Sequence, residues 1–212
     1  MIVLFDLDGT VSDSAPGILA ALRHAFAVNG LPPMDPRTEQ AILGPPFYES
    51  LPPLIGGDER LPAVIAAYRE HYGNGGMFDT QAYDGIGDLL ATLHARGDRL
   101  AVATSKPEDY AVPIVEHLGL ADYFETIGGD ELDGSLGTKA LVIGKVLGRL
   151  GVSGGADVLM IGDRAHDVLG ARAHGIDCLG AGWGYGLPGE LAEAGARGIF
   201  AHPSELLPAL AA

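Results

Sequence analysis

Residues 2–10 read IVLFDLDGT, an apolar run that ends in two aspartates, a glycine and a threonine. An unbroken apolar run of this kind is typical of a strand that is buried on both faces of a parallel sheet. Similar runs follow at residues 100–103, 158–161 and 176–179, and residues 126–128 could add another strand. Helical patterns alternate with them at residues 84–96, 107–118, 138–150 and 164–174. This alternation predicts an α/β fold with a Rossmann-like, mainly parallel sheet and helices on both faces.

Residues 15–82 interrupt the alternation. They contain amphipathic helical stretches, at 18–28 and 61–72, which are separated by several prolines, and they contain no convincing strand. We therefore expect a small all-helical cap domain at 15–82, inserted after the first strand. The core domain would then consist of residues 1–14 and 83–212.

The composition is that of a globular chain and excludes two kinds of partner. Of the 212 residues, 47% are hydrophobic and 19% are charged. The formal net charge of −15 would repel a polyphosphate backbone, so we expect no nucleic-acid partner. No stretch approaches the roughly 18 apolar residues of a membrane span, and no basic leader is present, so we expect a cytoplasmic protein without a membrane partner. The single cysteine, Cys178, permits no intrachain disulfide, and the sequence does not predict the oligomeric state.

Two aspartates, Asp6 and Asp8, end the first predicted strand. Because side chains alternate along a strand, both carboxylates point the same way at its carboxyl end, where ligands bind in open α/β sheets. With Gly9 and Thr10 behind it, the pair could also form an ordinary solvated turn. Polar residues at the ends of other strands favour the active-site interpretation.

Residues that suit a phosphoryl group follow the predicted strand at 100–103. Thr104 and Ser105 offer hydroxyl groups and backbone N–H groups ahead of a helix, which is a suitable seat for an anion. A serine or threonine at such a place more often only caps the helix. Lys139 opens a later helical segment and could neutralise charge on Asp6 and on phosphate, although a lysine at a helix start is more often solvated.

Two further aspartates, Asp163 and Asp167, follow the predicted strand at 158–161. Their spacing of four residues places them on one face. Together with Asp6 and Asp8, Asp163 would crowd carboxylates at one site, and a divalent cation resolves the repulsion. Carboxylate oxygens are hard ligands of the type that Mg²⁺ takes, whereas no cluster of histidine and cysteine favours zinc. The sequence therefore predicts Mg²⁺ as the cofactor.

Four motifs occur in a fixed order: DLDGT at residues 6–10, Thr104, Lys139, and Gly162-Asp163 followed by Asp167. This ordered set spans nearly the whole chain and resembles the haloacid dehalogenase superfamily. The helical insertion resembles the cap of its phosphoglycolate phosphatase-like branch. The stretches at 44–46, 101–107 and 183–186 are similar to the bacterial 5′-nucleotidase-like group. Leu136 and Asp84 depart from that group, in which arginine and proline are common at these positions.

The resemblance implies a role for each motif residue. Asp6 would be the nucleophile, and Asp8 would be the general acid and base, oriented by Thr10. Lys139 and Thr104 would complete the catalytic set. The residues implied to bind the phosphoryl group are Thr104, Ser105, Lys139, Gly9 and Thr10. Those implied to hold Mg²⁺ are Asp6, Asp163, the backbone carbonyl of Asp8 and, as a supporting group, Asp167.

These features predict a magnesium-dependent phosphatase of small phosphorylated metabolites, such as a nucleoside monophosphate, phosphoglycolate or a sugar phosphate. Asp6 would attack phosphorus, and water would hydrolyse the resulting aspartyl phosphate. A sugar-phosphate mutase of the same superfamily remains open, because it uses the same intermediate. A phosphoacceptor signalling module of the receiver type is disfavoured, since a receiver is shorter and has no helical insertion after its first strand. A dehalogenase is disfavoured because it does without magnesium.

Overall fold

The computed structural model describes residues 1–210 as a parallel sheet with helices packed on both faces. In chain order, the strands are β1 (Ile2–Phe5), β2 (Ser12–Asp13), β3 (Gln81–Ala82), β4 (Arg99–Pro107), β5 (Thr126–Asp130), β6 (Val158–Gly162), β7 (Asp177–Ala181) and β8 (Gly198–Phe200). The α-helices are α1 (Ala15–Val28), α2 (Pro36–Ala41), α3 (Phe47–Ser50), α4 (Pro52–Ile55), α5 (Leu61–Gly73), α6 (Ile86–Ala95), α7 (Glu108–His117), α8 (Lys139–Leu150), α9 (Ala165–Arg172), α10 (Glu190–Ala194) and α11 (Leu206–Ala209). Short 3-10 helices lie at Asp58–Arg60, Gly76–Phe78, Ala121–Tyr123 and Pro203–Glu205. Within residues 1–210, no helix has the length and apolar character needed to span a bilayer.

The main sheet has six strands in the order β5-β4-β1-β6-β7-β8, and every neighbouring pair runs parallel. β1 lies in the middle, with Phe5 opposite Val102 of β4 on one side and opposite Ile161 of β6 on the other. The strand order reverses beside β1, which is where ligands bind in doubly wound sheets. This arrangement confirms the predicted Rossmann-like α/β fold.

Alternate side chains of β1 enter two separate cores. Val3 and Phe5 pack in the core that contains α6 and α7, whereas Ile2 and Leu4 pack in the core that contains α8 and α9. All four side chains are buried, as expected for a strand that is covered on both faces. Burial of each large apolar side chain contributes roughly 1.5–3 kcal/mol. The short strand is therefore anchored from both sides, and its carboxyl end is held in place.

The chain from residue 14 to residue 80 forms helices and turns, and α1 and α5 are its main packed pair. Prolines stand in the first turn of α2, α4 and α5, so the proline-rich stretch gives several short helices rather than one long helix. β2 and β3 pair antiparallel, with Ser12 opposite Ala82, so the chain leaves and rejoins the sheet at adjacent points. That residues 15–82 act as a separate cap domain stays a prediction.

The strands differ from the sequence-based expectation in three places. No strand is expected within 15–82, yet residues 81–82 form β3, which is too short to give a periodic pattern. A loop is expected after residue 103, but β4 continues to Pro107 because irregular pairing with β5 keeps the chain extended. The edge strand β8 is not expected, since its three residues are at most half-buried and show no apolar run.

Candidate active site

The carboxyl ends of three central strands bring the predicted site residues to one edge of the sheet. Asp6 follows β1, Thr104 lies in β4, and Asp163 follows β6. The parallel register holds these strand ends level, because Phe5 of β1 is opposite residues of both neighbours. Residues that are far apart in the sequence therefore line one site.

Three buried carboxylates form a cluster at this edge. One oxygen from each of Asp6, Asp163 and Asp167 lies within 4.8 Å of those of the other two. Burial raises the pKa of Asp163 well above its usual range, and repulsion from Asp167 and Asp6 adds to the rise. Burial also raises the pKa of Asp167, to about 6, although Lys139 acts in the opposite direction. Ionised carboxylates in this cluster therefore need a nearby positive charge to offset burial and mutual repulsion.

Lys139 is the protein's own cation at this carboxylate cluster. Its Nζ lies 2.8 Å from Asp6 Oδ1 and 2.8 Å from Asp167 Oδ1, and it donates to the carbonyl oxygen of Ala103 at 3.1 Å. Burial lowers the pKa of Lys139, but the charges of Asp167 and Asp6 outweigh that effect and raise it. The ammonium group therefore stays protonated, and one positive charge faces three carboxylates.

The carboxylate cluster fits a hard divalent cation. Asp167 Oδ1 is buried and, apart from its ionic contact with Lys139, has no aligned hydrogen-bond donor among residues 1–210. Asp163 is held in orientation, because its Oδ2 accepts from the backbone N–H of Tyr185 at 2.7 Å and its Oδ1 from the Thr10 hydroxyl at 3.3 Å. Grouped carboxylate oxygens of this kind are ligands for Mg²⁺. Asp6, Asp163 and Asp167 are the residues that could hold it.

Two glycines allow the backbone to approach the carboxylate cluster. A Cβ at Gly9, whose φ is +82°, would collide with the carboxylate of Asp163. A Cβ at Gly184 would collide with the carbonyl oxygen of Gly9 and with the side chain of Asp163. Only glycine fits at either position without displacing Asp163.

Asp8 is not part of the carboxylate cluster and has different ionic partners. Its Oδ2 lies 2.9 Å from Lys106 Nζ, and its Oδ1 accepts from the Ser14 hydroxyl at 2.5 Å. Lys106 Nζ also donates to the Tyr72 hydroxyl at 2.7 Å and lies 4.8 Å from the centroid of that ring. Tyr72 belongs to α5, so a single ammonium group links Asp8 to the helical insertion.

The residues expected to bind a phosphoryl group differ in whether their hydrogen-bonding groups are already used within the protein. Thr104 is buried in the same edge, and its Oγ1 accepts from the backbone N–H of Lys106 at 3.2 Å. Ser105 is half-buried and lines the neighbouring cavity. The backbone N–H groups of Gly9 and Thr10 are already used within their own turn, where they donate to the carbonyls of Ser12 and Leu7. Thr104 and Ser105 are therefore better placed than these two amides to bind an anion.

A cavity between the helical insertion and the sheet edge opens onto Asp6 and Asp8. Its volume, including the open mouth, is about 860 Å³, which lies within the range of small-molecule sites. The core contributes mainly polar groups to its wall, such as Thr104 and Lys106. The side chains that the insertion contributes are mostly apolar or aromatic and include Ile18, Phe47, Tyr48, Ile65, Tyr68 and Tyr72.

Arg164 connects the insertion to the core beside Asp163. Its guanidinium group donates to the carbonyl oxygen of Leu43, in the insertion, and pairs with Glu190 at 2.9 Å. Glu190 also accepts from the backbone N–H of Ala165 at 2.8 Å, at the start of α9. The insertion is therefore tied to the same helix that carries Asp167.

Tyr185 connects the carboxylate cluster to the start of the insertion. Its hydroxyl oxygen accepts from the backbone N–H groups of Ser14 at 2.7 Å and Ala15 at 2.9 Å, and it donates to Asp13 Oδ1 at 2.9 Å. Burial raises the pKa of Tyr185, so the phenol remains a donor. Because its backbone N–H binds Asp163, one residue contacts both the cluster and the beginning of α1.

No role is predicted from the sequence for Lys106, Arg164 or Tyr185. Arg164 follows the motif residue Asp163 directly, and Lys106 lies two residues after Thr104, within the stretch 101–107 that carries part of the resemblance. These positions were the signals available for them. Tyr185 lies in the stretch 183–186 that also carries part of the resemblance, but its contact with residues 13–15 joins distant parts of the chain and is not encoded by a local pattern.

The chain matches the model of one protein family and resembles individual proteins that have different names. The family model of haloacid dehalogenase-like hydrolases matches residues 3–181. A crystal structure of a predicted phosphatase from Clostridium acetobutylicum has a TM-score of 0.94 at 38% identity, covering 99% of this chain and 97% of that one.

Curated proteins with different names also match the chain. Tyrosine-protein kinase PtkA of Mycobacterium tuberculosis is 45% identical over 185 residues, which cover 87% of this chain and only 63% of that protein. A 5′-nucleotidase of Pseudomonas aeruginosa is 38% identical over 190 residues, with 89% of this chain and 86% of that protein covered. A phosphoglycolate phosphatase of Yersinia pseudotuberculosis is 32% identical over 215 residues, with 98% and 92% covered.

Proposed function

The chain belongs to the haloacid dehalogenase-like hydrolase family, and we propose that it is a Mg²⁺-dependent phosphatase of small phosphomonoesters. The observation that carries this proposal is the pairing of two neighbouring aspartates with different partners. Asp6 contacts Lys139 and the carboxylate cluster, whereas Asp8 contacts Lys106 at the cavity. This difference in partners supports the proposal that Asp6 is the nucleophile and that Asp8 transfers the proton.

In the proposed reaction, the Asp6 carboxylate attacks phosphorus in line, and the bond from phosphorus to the leaving oxygen breaks. Asp8 donates a proton to the leaving alkoxide. Asp8 then removes a proton from water, which attacks the aspartyl phosphate and releases Asp6 and phosphate. Thr104 and Lys139 bind the phosphoryl oxygens, and positioning of this kind provides most of the catalysis in phosphoryl transfer.

Asp6, Asp163 and Asp167 would hold the Mg²⁺ ion. When bound there, Mg²⁺ would neutralise charge on Asp6 and on the phosphoryl oxygens. Tyr185 and Thr10 would keep the Asp163 carboxylate turned toward this position through their hydrogen bonds.

Residues 15–82 would act as a cap that opens to admit substrate and closes to exclude water. The pairing of β2 with β3 supports hinges near residues 12–16 and 81–85, because both crossing points lie side by side. The loop at 44–48 lines the cavity and would contact the leaving group. Exchange of this loop should therefore change the ranking of substrates.

The test is phosphate release from nucleotides, sugar phosphates, phosphoglycolate and p-nitrophenyl phosphate, with and without Mg²⁺. Release should require Mg²⁺ and should be lost in Asp6→Asn, because an amide cannot form the aspartyl phosphate. Full activity of Asp6→Asn would overturn the assignment of the nucleophile. Transfer of the phosphoryl group to a second hydroxyl of the substrate, without release of inorganic phosphate, would indicate a mutase.

A second candidate is phosphoryl transfer to a protein tyrosine, favoured by the 45% identity to a protein named tyrosine-protein kinase. The same carboxylates and Lys139 would then act on a nucleotide donor. Incubation with ATP and a tyrosine-containing polypeptide, followed by detection of phosphotyrosine, distinguishes the two. Phosphotyrosine formation that is lost in Asp6→Asn, without net phosphate release, would favour this candidate.

A further inference from the structure

The wall of the cavity next to Asp8 is built from aromatic rings. Tyr68 and Tyr72, both on α5, are stacked with ring centroids 5.1 Å apart. Phe47 meets Tyr68 edge-on at 4.8 Å, and Tyr110 of the core meets Tyr72 edge-on at 5.4 Å. All four rings line the cavity. Rings arranged in this way offer both faces and edges to a flat ligand.

One hydroxyl group in this wall is left without a partner. Tyr68 is 6% exposed, and its hydroxyl makes no hydrogen bond to any residue of 1–210. Burial raises the pKa of Tyr68, so the hydroxyl remains a donor, and it lies within electrostatic range of Lys106 and Asp8. Within residues 1–210, the fully buried side-chain atoms without a partner are His166 Nδ1 and Asp167 Oδ1, so the Tyr68 hydroxyl is accessible from the cavity that Tyr68 lines. It is therefore free to donate a hydrogen bond to a ligand in the cavity.

The charges of the cavity disfavour an anionic leaving group. The carboxylates that line it are Asp6, Asp8, Asp130 and Glu131. Its lining cations within residues 1–210 are Lys106 and Arg69, and both already donate hydrogen bonds, although only Lys106 is paired with a carboxylate. Lys106 is held by Asp8 and Tyr72, and Arg69 donates to Leu132 and Tyr48 at the exposed rim. With four carboxylates against two cations in the lining, a second negative charge on the substrate would meet net repulsion here.

We propose that this cavity selects phosphomonoesters whose leaving group carries a planar aromatic ring, with the ring against Phe47 and Tyr68 and an oxygen or ring nitrogen bound to the Tyr68 hydroxyl. A nucleoside and a phenol such as tyrosine both have this chemistry. The inference rests on the proposed phosphatase function. It narrows that function to neutral aromatic leaving groups and away from phosphoglycolate.

Two matched substrate pairs test the inference, since each pair differs in the aromatic ring. Adenosine 5′-monophosphate is compared with ribose 5-phosphate, and phosphotyrosine with phosphoserine. Stacking of one ring on aromatic side chains should raise kcat/KM by about 5- to 150-fold for the aromatic member. A preference in the first pair alone identifies a nucleoside, and a preference in the second alone identifies a phenol. No preference in either pair overturns the inference.

Variants of the cavity wall test whether its aromatic side chains cause the preference for aromatic substrates. Phe47→Ala should lower kcat/KM for the preferred aromatic substrate by about tenfold and leave its non-aromatic partner unchanged. Tyr68→Phe keeps the ring and should raise KM for the aromatic substrate alone. Tyr123→Phe, which lies near His94 and does not line the cavity, is the control and should change neither. Equal losses on both members of a pair would contradict a role for the wall in selection.

Binding separates failure of the inference from failure of the proposed function. Calorimetry with Asp6→Asn should show tighter binding of the aromatic member of the preferred pair. If no substrate releases phosphate, the phosphatase proposal fails, and a binding preference for the aromatic member still supports the cavity inference. If phosphate is released but phosphoglycolate and ribose 5-phosphate are the best substrates, the inference fails and the phosphatase stands.

Discussion

Lys106 Nζ lies 2.9 Å from Asp8 Oδ2 and is held from the other side by the hydroxyl of Tyr72. Asp8 belongs to the sheet edge and Tyr72 belongs to α5, so the ammonium group bridges the two parts of the molecule. The position of the proposed proton donor therefore depends on the position of the insertion. Closure of the insertion would bring Tyr72 to Lys106, and the ion pair with Lys106 would fix the orientation of the Asp8 carboxylate.

Replacing Lys106 tests this bridge. Lys106→Met should lower kcat by about 10- to 100-fold for an alkyl phosphate, because a general acid contributes about 10²–10⁴-fold and Asp8 would lose its orientation. Hydrolysis of p-nitrophenyl phosphate should fall less, since its leaving group needs little protonation. Lys106→Arg should retain more activity than Lys106→Met. Equal losses on the two substrates would argue against a link to proton donation.

Replacing Lys139 should destabilise the metal-free protein. Lys139→Met leaves Asp6 and Asp167 buried without their cation, and such a loss costs about 3–5 kcal/mol. Urea unfolding in the presence of a chelator measures the change. Addition of Mg²⁺ should stabilise Lys139→Met by a larger amount than it stabilises the wild type, because the ion replaces part of the missing charge.

Lys145→Met provides the matched control for Lys139. Lys145 is also in α8, but its ion pairs with Glu108 and Glu131 lie at the surface and contribute at most about 1 kcal/mol. Its unfolding should not respond to Mg²⁺ differently from that of the wild type. If both variants lost the same free energy of unfolding, the buried ion pairs of Lys139 would contribute no more to stability than the surface ion pairs of Lys145.

Asp167 should make the stability of the metal-free protein depend on pH. Burial raises its pKa to about 6 from the ordinary value of 3.8, so between these values the folded protein binds a proton that the unfolded chain has lost. The stability contributed by the protonated group is present below about pH 4 and is lost as pH rises to about 6. A shift of this size corresponds to about 3 kcal/mol. Unfolding free energies of the wild type and of Asp167→Asn, compared from pH 4 to pH 8, measure it.

The same titration predicts how Mg²⁺ binding changes with pH. Carboxylates must lose their protons to hold the ion, so Mg²⁺ affinity should rise across pH 4–7 and binding should release protons. In Asp167→Asn the rise should be smaller, although Asp163, whose pKa burial also raises, still contributes. A wild-type affinity that does not vary over this range would place the ion away from the carboxylate cluster.

The central part of the fold could be predicted because its signals are local. The apolar run of β1, the DLDGT turn and the alternation of helices and strands follow directly from residue type and period, and the sheet has the predicted class. β3 and β8 could not be predicted, because two or three residues give no period and tertiary pairing decides their conformation.

The site could be predicted only where its residues end a strand or begin a helix. Asp6, Asp163 and Lys139 do so, and the parallel register then brings them together. Lys106 and Tyr185 act through contacts between the insertion and the core, whose packing a local pattern does not encode. Local patterns therefore indicate the carboxylates and the lysine at the sheet edge, and they do not indicate the groups that connect this edge to the insertion.

The loop at Leu43 and Gly44 should control how the insertion closes. Gly44 has a φ of +103°, and a Cβ there would lie 2.9 Å from Cγ and Nη1 of Arg164, whose guanidinium group binds the carbonyl of Leu43. Gly44→Ala should therefore displace this contact and raise KM by about tenfold, in addition to the cost of about 1 kcal/mol for a side chain in the left-handed region. Steady-state kinetics and thermal unfolding measure the two effects separately.

Gly56→Ala separates backbone strain from the contact with Arg164. Gly56 also lies in the insertion with a positive φ, +86°, but a Cβ there meets no atom within 4 Å. Both variants should lose similar stability, and only Gly44→Ala should raise KM. Combining Gly44→Ala with Arg164→Met should raise KM by less than the product of the single effects, because both remove the same contact. Equal KM values in the two alanine variants would mean that strain alone, and not the tie to Arg164, governs substrate binding at this loop.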